Sequence, residues 1–337
     1  VNKKIYLILA ITLGIVFMAA CGNDSVSNES AGSDSEESLE TTIIGGRTGG
    51  AWSVFAEGIA ESYRRENDGT IITVEPGSIV ENPPTVGSGV IPFGLSYSMT
   101  SYAAYTGEEP YTEAYQNLRA VSVVIPANYY QFLVSAGKPY ESIAEIAQQQ
   151  APIRLAVDQQ GSAGEMMTRA ILQEYGVTYE DIDSWGGSVN FLSGSKTFEM
   201  MADNRIDATG DAVSAPSGDI IEASTTMKMN MLSLDQKTIQ EVSKKLGMEP
   251  GIIEAGTYSF LKEDVDTIST PAILITHKDV PVDEVYQMTK SIYENLDYLG
   301  NVHEEFKKLT EDKMMDVGNV PLHPGAQKFF QEKGLLE

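Results

Sequence analysis

Thr42–Ile59, TIIGGRTGGAWSVFAEGI, decides how this chain is read, because it passes from strand to glycine loop to helix without interruption. Thr41–Ile44 is β-branched and predicts a strand. Gly45, Gly46, Gly49 and Gly50 then permit positive φ and close approach of backbone to a ligand. From Ala51 the residues Trp52, Phe55, Ala56, Ile59 and Ala60 recur at helical spacing, so the loop ends at a helix N-terminus. Such an end carries unpaired N–H groups and partial positive charge, which favour a carboxylate or phosphate. The competing reading is a turn that merely joins strand to helix. No Gly-Lys-Ser/Thr follows, which excludes a Walker A loop, and G-x-G-x-x-G does not align on Gly45–Gly50.

Outward from this unit the pattern repeats. Thr70–Glu75 and Val90–Ser96 are strand candidates that lead into Pro76-Gly77-Ser78, before Glu81-Asn82, and into Ser96-Tyr97-Ser98. This β-α-β-α-β rhythm predicts a parallel sheet with connecting helices and a ligand beyond the carboxyl ends of its strands. Leu118–Pro126 and Tyr130–Ser135 are expected as two strands and Ser142–Gln149 as a helix. Ile153–Val157 runs into Asp158-Gln159-Gln160-Gly161-Ser162-Ala163-Gly164, with a helix through Met166, Met167, Ala170 and Ile171 behind it, repeating the opening architecture. Gly161-Ser162 is not a nucleophile elbow, since Gln160 stands where G-x-S-x-G needs its first glycine. Asp183–Gly187 and Arg205–Gly210 read as short strands, Asp211–Pro216 as a loop with Ser214, and residues 235–246 as a helix ended by Gly247. Ile268–Thr276 reads as a return strand broken by Pro271, and Pro281 opens a helix.

Composition narrows the function classes. A chain of 337 residues, 42% hydrophobic and 8% aromatic, suffices for two domains with real cores. A formal net charge of −25 argues against nucleic acid or an anionic lipid surface as partner, although a local nest of N–H dipoles still accommodates a small anion. Lys3 and Lys4, the apolar run Ile5–Ala20 and Met18-Ala19-Ala20-Cys21 form a signal-peptide pattern that resembles a bacterial lipobox with Cys21 as the lipidated residue. Gly22–Glu40 is Ser-, Asn-, Asp- and Glu-rich and reads as a disordered tether. Cys21 is the only cysteine, so the mature domains contain no disulfide or thiol nucleophile. His277, His303 and His323 have no ligand-like spacing, and neither a metal nor a cofactor is expected. Glu180-Asp181 and Glu263-Asp264 read as solvated loop charges.

Thr48-Gly49-Gly50, Glu81-Asn82, Ser96, Gly161-Ser162, Arg205-Ile206-Asp207-Ala208, Ala255-Gly256-Thr257-Tyr258 and Pro321-Leu322-His323-Pro324-Gly325-Ala326 occur in that order. Together they make the chain from about residue 41 onward resemble the TAXI family of substrate-binding receptors for TRAP transporters. The resemblance implies an α/β, two-lobe periplasmic binding protein (type II), each lobe a mainly parallel sheet flanked by helices, with two crossing strands as hinge. Residues 1–20 are then the lipoprotein leader, 21–40 the tether, 41–127 with 270–337 one lobe and 128–269 the other. It further implies an extracytoplasmic, membrane-anchored receptor, not an enzyme, that captures glutamate, glutamine, 2-oxoglutarate or another small organic anion or amino acid for a TRAP-type permease. A ligand-sensing protein coupled to a signalling partner is the alternative.

On that reading Thr48, Gly49 and Gly50 from one lobe and Gly161, Ser162 and Ala163 from the other offer backbone N–H groups to carboxylates. Ser78, Asn82, Ser96 and Ser98 add side-chain hydrogen bonds, and Trp52 supplies an apolar wall. Glu81, Tyr97, Asp211 and Ser214 complete the expected site. The chain departs from the family at Ala51-Trp52-Ser53, Asn82-Pro83-Pro84 and Leu95-Ser96-Tyr97-Ser98, which bears on ligand identity rather than fold. A hydrolase would need a nucleophile, base and orienter that no motif here provides.

Overall fold

The computed structural model describes residues 40–192 and 194–336. The leader, Cys21 and nearly all of the tether lie outside the described residues. The opening unit folds as the sequence predicts: β1 (Glu40–Ile44), α1 (Ala51–Glu66), β2 (Ile71–Glu75), α2 (Asn82–Gly87), β3 (Phe93–Tyr97) and α3 (Ser98–Thr106). β1 pairs parallel with both β2 and β3, so the carboxyl ends of all three strands face one way.

The chain then enters β4 (Leu118–Ser135), a single strand where two were expected. Pro126 does not break it. The antiparallel ladder with β10 has register shifts in this stretch, and the ladder with the next partner starts only at Tyr129, so the missing proline N–H falls where pairing is already irregular. Beyond β4 come α4 (Ile143–Gln148), β5 (Arg154–Val157), α5 (Ala163–Glu174), α6 (Tyr179–Ser184), β6 (Ser188–Asn190), α7 (Ser195–Ala202), β7 (Ala208–Val213), α8 (Gly218–Thr226), β8 (Met229–Leu232), α9 (Gln236–Leu246) and β9 (Glu249–Ile253). The return strand β10 (Val265–His277) is unbroken, with Pro271 at one of its register shifts. α10 (Val282–Glu294), α11 (Leu296–Val302), two 3-10 turns and α12 (Pro324–Glu332) follow.

Two sequence expectations fail locally. The stretch expected as a strand at Asp183–Gly187 is instead the end of α6 and the turn after it, because Thr178 and Asp181 form a capping box that starts a helix there, and the strand begins only at Ser188. Asp211 lies inside β7 and not in a loop, since Ala208–Val213 pairs with both β4 and β5.

The path through the sheet is β2-β1-β3-β10-β4-β7-β5-β6, with β8 on β4 and β9 on β10. β4 and β10 are long and antiparallel, and each serves both halves of the molecule. β10 pairs β3 at Ala272–Thr276 and β9 at Val265–Ser269. β4 pairs β7 and β8 through Tyr129–Ser135. The outcome is an α/β architecture of two parallel three-strand groups, β2-β1-β3 and β7-β5-β6, joined by crossing strands. The described residues lie in one compact unit.

The carboxyl-terminal motif has a structural role. His323 caps α12 by accepting the Gly325 N–H at its Nδ1, and its other ring nitrogen meets the Lys278 carbonyl. Burial lowers its pKa. Ala120 of β4 bonds Pro321 and His323 through its backbone, which places α12 against the sheet and buries Phe329 and Phe330.

Candidate functional site

The glycine loop after β1 is shaped by packing. A Cβ at position 46 would come within 2.4 Å of the Trp52 Cβ, so only glycine lets α1 fold back over the loop. Thr48 and Gly49 are exposed, and the Gly50 N–H is taken by the Arg47 carbonyl. Gly50 is the N-cap of α1 yet supplies no side-chain cap, and no acidic residue occupies the first turn. Among the described residues the N–H groups of Ala51 and Trp52 are therefore the unpaired donors of this helix end. Both residues border a cavity of about 300 Å³.

That cavity lies between the two halves of the sheet. α1 contributes Trp52 and Phe55, β3 ends in Tyr97, and the crossing strand β4 supplies Ile125 and Asn128. The opposite wall is Val213, Ser214 and Pro216–Gly218, at the end of β7 and the start of α8. His303, Glu304 and Glu305 close it from the segment after α11. Trp52 and Tyr97 meet edge to face, with centroids 4.9 Å apart.

Of the residues expected from sequence, Trp52, Tyr97 and Ser214 border this cavity. Several others serve the scaffold. Asn82 is fully buried, donates to the Gly45 and Leu95 carbonyls at 2.8 and 2.7 Å, and accepts the Ser78 N–H. One amide thus ties the loops after β1 and β2 to strand β3, and its donors are committed. The Ser96 hydroxyl donates to the Ile79 carbonyl and the Ser98 hydroxyl to the Val317 carbonyl. Glu81 is exposed at the start of α2. In the second half the Gly161 N–H goes to Glu165, the Ser162 N–H to the Gln159 carbonyl, and the Ser162 hydroxyl caps α5. Ala163 is buried in the first turn of α5. Thr48–Gly50 and Gly161–Ala163 do not border the cavity, although the residues immediately after the first loop do.

Sequence reasoning expected Asp211, which does not border this cavity, and missed its neighbour Asp158 and the acidic wall residues Glu304 and Glu305. Asp211 shares a hydrogen bond with Asp158, the residue that follows β5. Burial first, and then the neighbouring Asp158, push the Asp211 carboxyl up to about 8. A Cβ at position 164 would lie 2.6 Å from Asp211 Oδ1, so the protein's own carboxylate already fronts the N-terminus of α5. Asp211 also borders a small chamber of about 20 Å³ together with Thr197, Ser217 and Asp219. Val213 and Ser217 wall both spaces, so the chamber adjoins the larger cavity. Burial, followed by the two carboxylates Asp211 and Asp158, raises the Tyr97 pKa. Asp158 had a sequence signal, as the first residue past a strand of the parallel group. Glu304 and Glu305 had none, because only the tertiary fold brings residue 304 to residue 52. Among the described residues no group of three or more His, Cys, Asp or Glu side chains is arranged to hold a metal ion.

Polar contacts cross between the halves. Arg169 of α5 pairs with Glu109, in the loop after α3, and also with Glu165, whose carboxylate holds the Gly161 N–H. Lys308 reaches from the carboxyl-terminal segment to the Ala215 carbonyl on the opposite wall.

The model of the NMT1-like family matches residues 43–334. Among solved structures, the chain is similar to a TctC solute binding protein from Polaromonas, at 14% identity over 82% of this chain and 88% of that one, TM-score 0.48. It is also similar to MatC from Rhodopseudomonas palustris with bound malate, at 12% identity over 89% and 99%, TM-score 0.48. The periplasmic aliphatic sulphonate binding protein SsuA from Escherichia coli matches at 11% identity over 89% and 88%, TM-score 0.46.

Proposed function

The chain belongs to the NMT1-like family, and from that membership and the cleft we propose that it is an extracytoplasmic solute receptor serving a membrane permease. The observation that carries this reading is the cavity of about 300 Å³ walled by both halves of one crossed-strand sheet. Its size suits a small organic molecule. A TRAP-type permease of the TAXI group is the partner we favour, with the chain held at the membrane through lipid on Cys21. Residues 41–127 with 270–337 would form one lobe and 128–269 the other. Among the described residues no helix is long and apolar enough to cross a membrane.

The solute would place a carboxylate on the uncapped N-terminus of α1, against the N–H groups of Ala51 and Trp52. Glutamate, glutamine and 2-oxoglutarate all have this group. Charged hydrogen bonds contribute about 1.5–3 kcal/mol each, so a few of them support micromolar binding after the cost of association. A solute touching both walls binds the closed arrangement better than an open one, and that difference drives closure.

Thermal denaturation of the purified receptor against amino acids and 2-oxoacids tests the reading, because a ligand of the folded state raises the melting temperature by mass action. A rise of several degrees with at least one small carboxylate is expected. A flat profile across the panel removes the proposal.

A further inference from the structure

The small chamber beside the solute cavity is walled by side-chain oxygens that lack partners. We propose that it binds one dehydrated monovalent cation such as sodium, held by the carboxylates of Asp211 and Asp219 and the hydroxyls of Thr197, Thr209 and Ser217. The site is separate from the solute cavity and does not depend on the receptor reading.

Thr197 and Thr209 are 3% and 4% exposed, both border the chamber, and neither hydroxyl makes a hydrogen bond among the described residues. Buried hydroxyls left unmet are costly, and two on one wall point to an occupant that meets them. The chamber volume of about 20 Å³ exceeds the roughly 10–15 Å³ that one water-sized body needs, so a single occupant fits.

The charge of that occupant follows from the wall. Asp211 and Asp219 border the chamber, Asp158 is hydrogen-bonded to Asp211, and among the described residues none of the three pairs with a lysine, arginine or histidine. A Cβ at position 194 would lie 3.3 Å from Asp219 Oδ2, and Gly194 also borders the chamber, so this carboxylate leans on the chamber rim although Asp219 is exposed as a residue. The Gln131 amide on the same wall is committed, its Nε2 donating to the Val213 and Ser214 carbonyls and its Oε1 accepting the Tyr258 hydroxyl. A neutral water would leave the acids uncompensated, whereas a cation offsets them.

The donor set sorts the cations. Carboxylate and hydroxyl oxygens suit a hard ion rather than a transition metal. Magnesium keeps several waters, for which about 20 Å³ has no room. Calcium takes six to eight oxygens, yet only two carboxylates border the chamber, and among the described residues no group of three acids is arranged to hold a metal ion. A single positive charge fits best. Thr209 and Asp211 stand on β7, Thr197 on α7, and Ser217 and Asp219 at the start of α8, so the ion would tie three elements together. Val213 and Ser217 wall both spaces, and the ion would thereby brace one side of the solute cavity.

Thermal denaturation and calorimetric titration of the full chain, without solute, test the site with sodium chloride and calcium chloride against choline chloride of equal ionic strength. Sodium is expected to raise the melting temperature by several degrees over choline, saturably, with one ion bound per chain. Thr209→Val removes a hydroxyl at nearly constant volume, and Asp219→Asn removes a charge at an exposed position. Each should weaken sodium at least about 10-fold while melting close to the parent in choline chloride. Equal melting curves in sodium and choline would assign the chamber to water and overturn the proposal. A rise with calcium alone would overturn it in favour of a divalent ion, and a sodium-specific rise that survives both substitutions would place the ion elsewhere. With no solute present, each of these failures leaves the receptor reading standing.

Discussion

Asn82 and Tyr97 do opposite work. Asn82 spends its whole amide on the Gly45 and Leu95 carbonyls and the Ser78 N–H, so truncation would strand several buried polar groups. Asn82→Ala is expected to cost about 2–4 kcal/mol of stability, seen as a melting point lower by several degrees. The Tyr97 hydroxyl makes no hydrogen bond among the described residues and lies in the field of two carboxylates, Asp211 and Asp158. Tyr97→Phe should leave the melting point within about a degree, since no internal hydrogen bond is lost. In titrations it should weaken a solute held in the cavity roughly 3- to 10-fold, the worth of one neutral hydrogen bond. Unchanged affinity would take Tyr97 out of the site. Both residues were expected in the site from sequence, and only their surroundings separate scaffold from surface.

At the scale of elements, β4 and β10 show why prolines misled the reading of strand length. Pro126 and Pro271 lie where the two strands change partners, so each removes a donor that the ladder does not use. α6 misled in the other direction, through a capping box that converts an acidic, loop-like run into a helix start. α5 carries the contact most relevant to motion, because Arg169 joins Glu165 on its own helix to Glu109 across the cleft. Glu109 is 79% exposed at its side chain, which limits the pair to the 0–1 kcal/mol range of surface ion pairs. Glu109→Gln is therefore expected to raise the solute dissociation rate by no more than about fivefold with an unchanged association rate. Stopped-flow fluorescence of Trp52 would measure it, and an effect above that range would assign the pair a larger part in closure.

For the whole molecule, two carboxylates set opposing pH dependences. Burial pushes Asp207 up, but hydrogen bonds from Arg154 and Lys138 overcome this and hold it at about 2. Its contribution is present above the unfolded carboxylate value of about 4 and is lost as pH falls through 2. Asp211 has the other sign. Its folded value of about 8 means that the folded chain keeps a proton the unfolded chain releases, so its contribution is complete below about 4 and declines as pH rises towards 8. The ligand-free protein should thus lose stability from pH 5 to 8 through this group. Asp211→Asn should flatten that decline, so the melting-temperature difference between variant and parent grows with pH; a constant difference would contradict the assignment.

From sequence alone the chain is legible as two strand-loop-helix series with a return strand, because periodicity and glycine placement are local properties set by sterics and side-chain burial. The start of α1 at Ala51, the αL cap of α9 at Gly247 and the parallel β1-β2-β3 group follow directly from that local chemistry. The composition of the cleft does not. Trp52, Ile125, Val213 and Glu304 come from four distant stretches, and their proximity depends on how β4 and β10 cross between the halves. Whether a serine or asparagine faces a solute or a neighbouring carbonyl, and whether a carboxyl keeps its proton, is settled by burial and by which charges surround it. Those quantities exist only once the chain has folded.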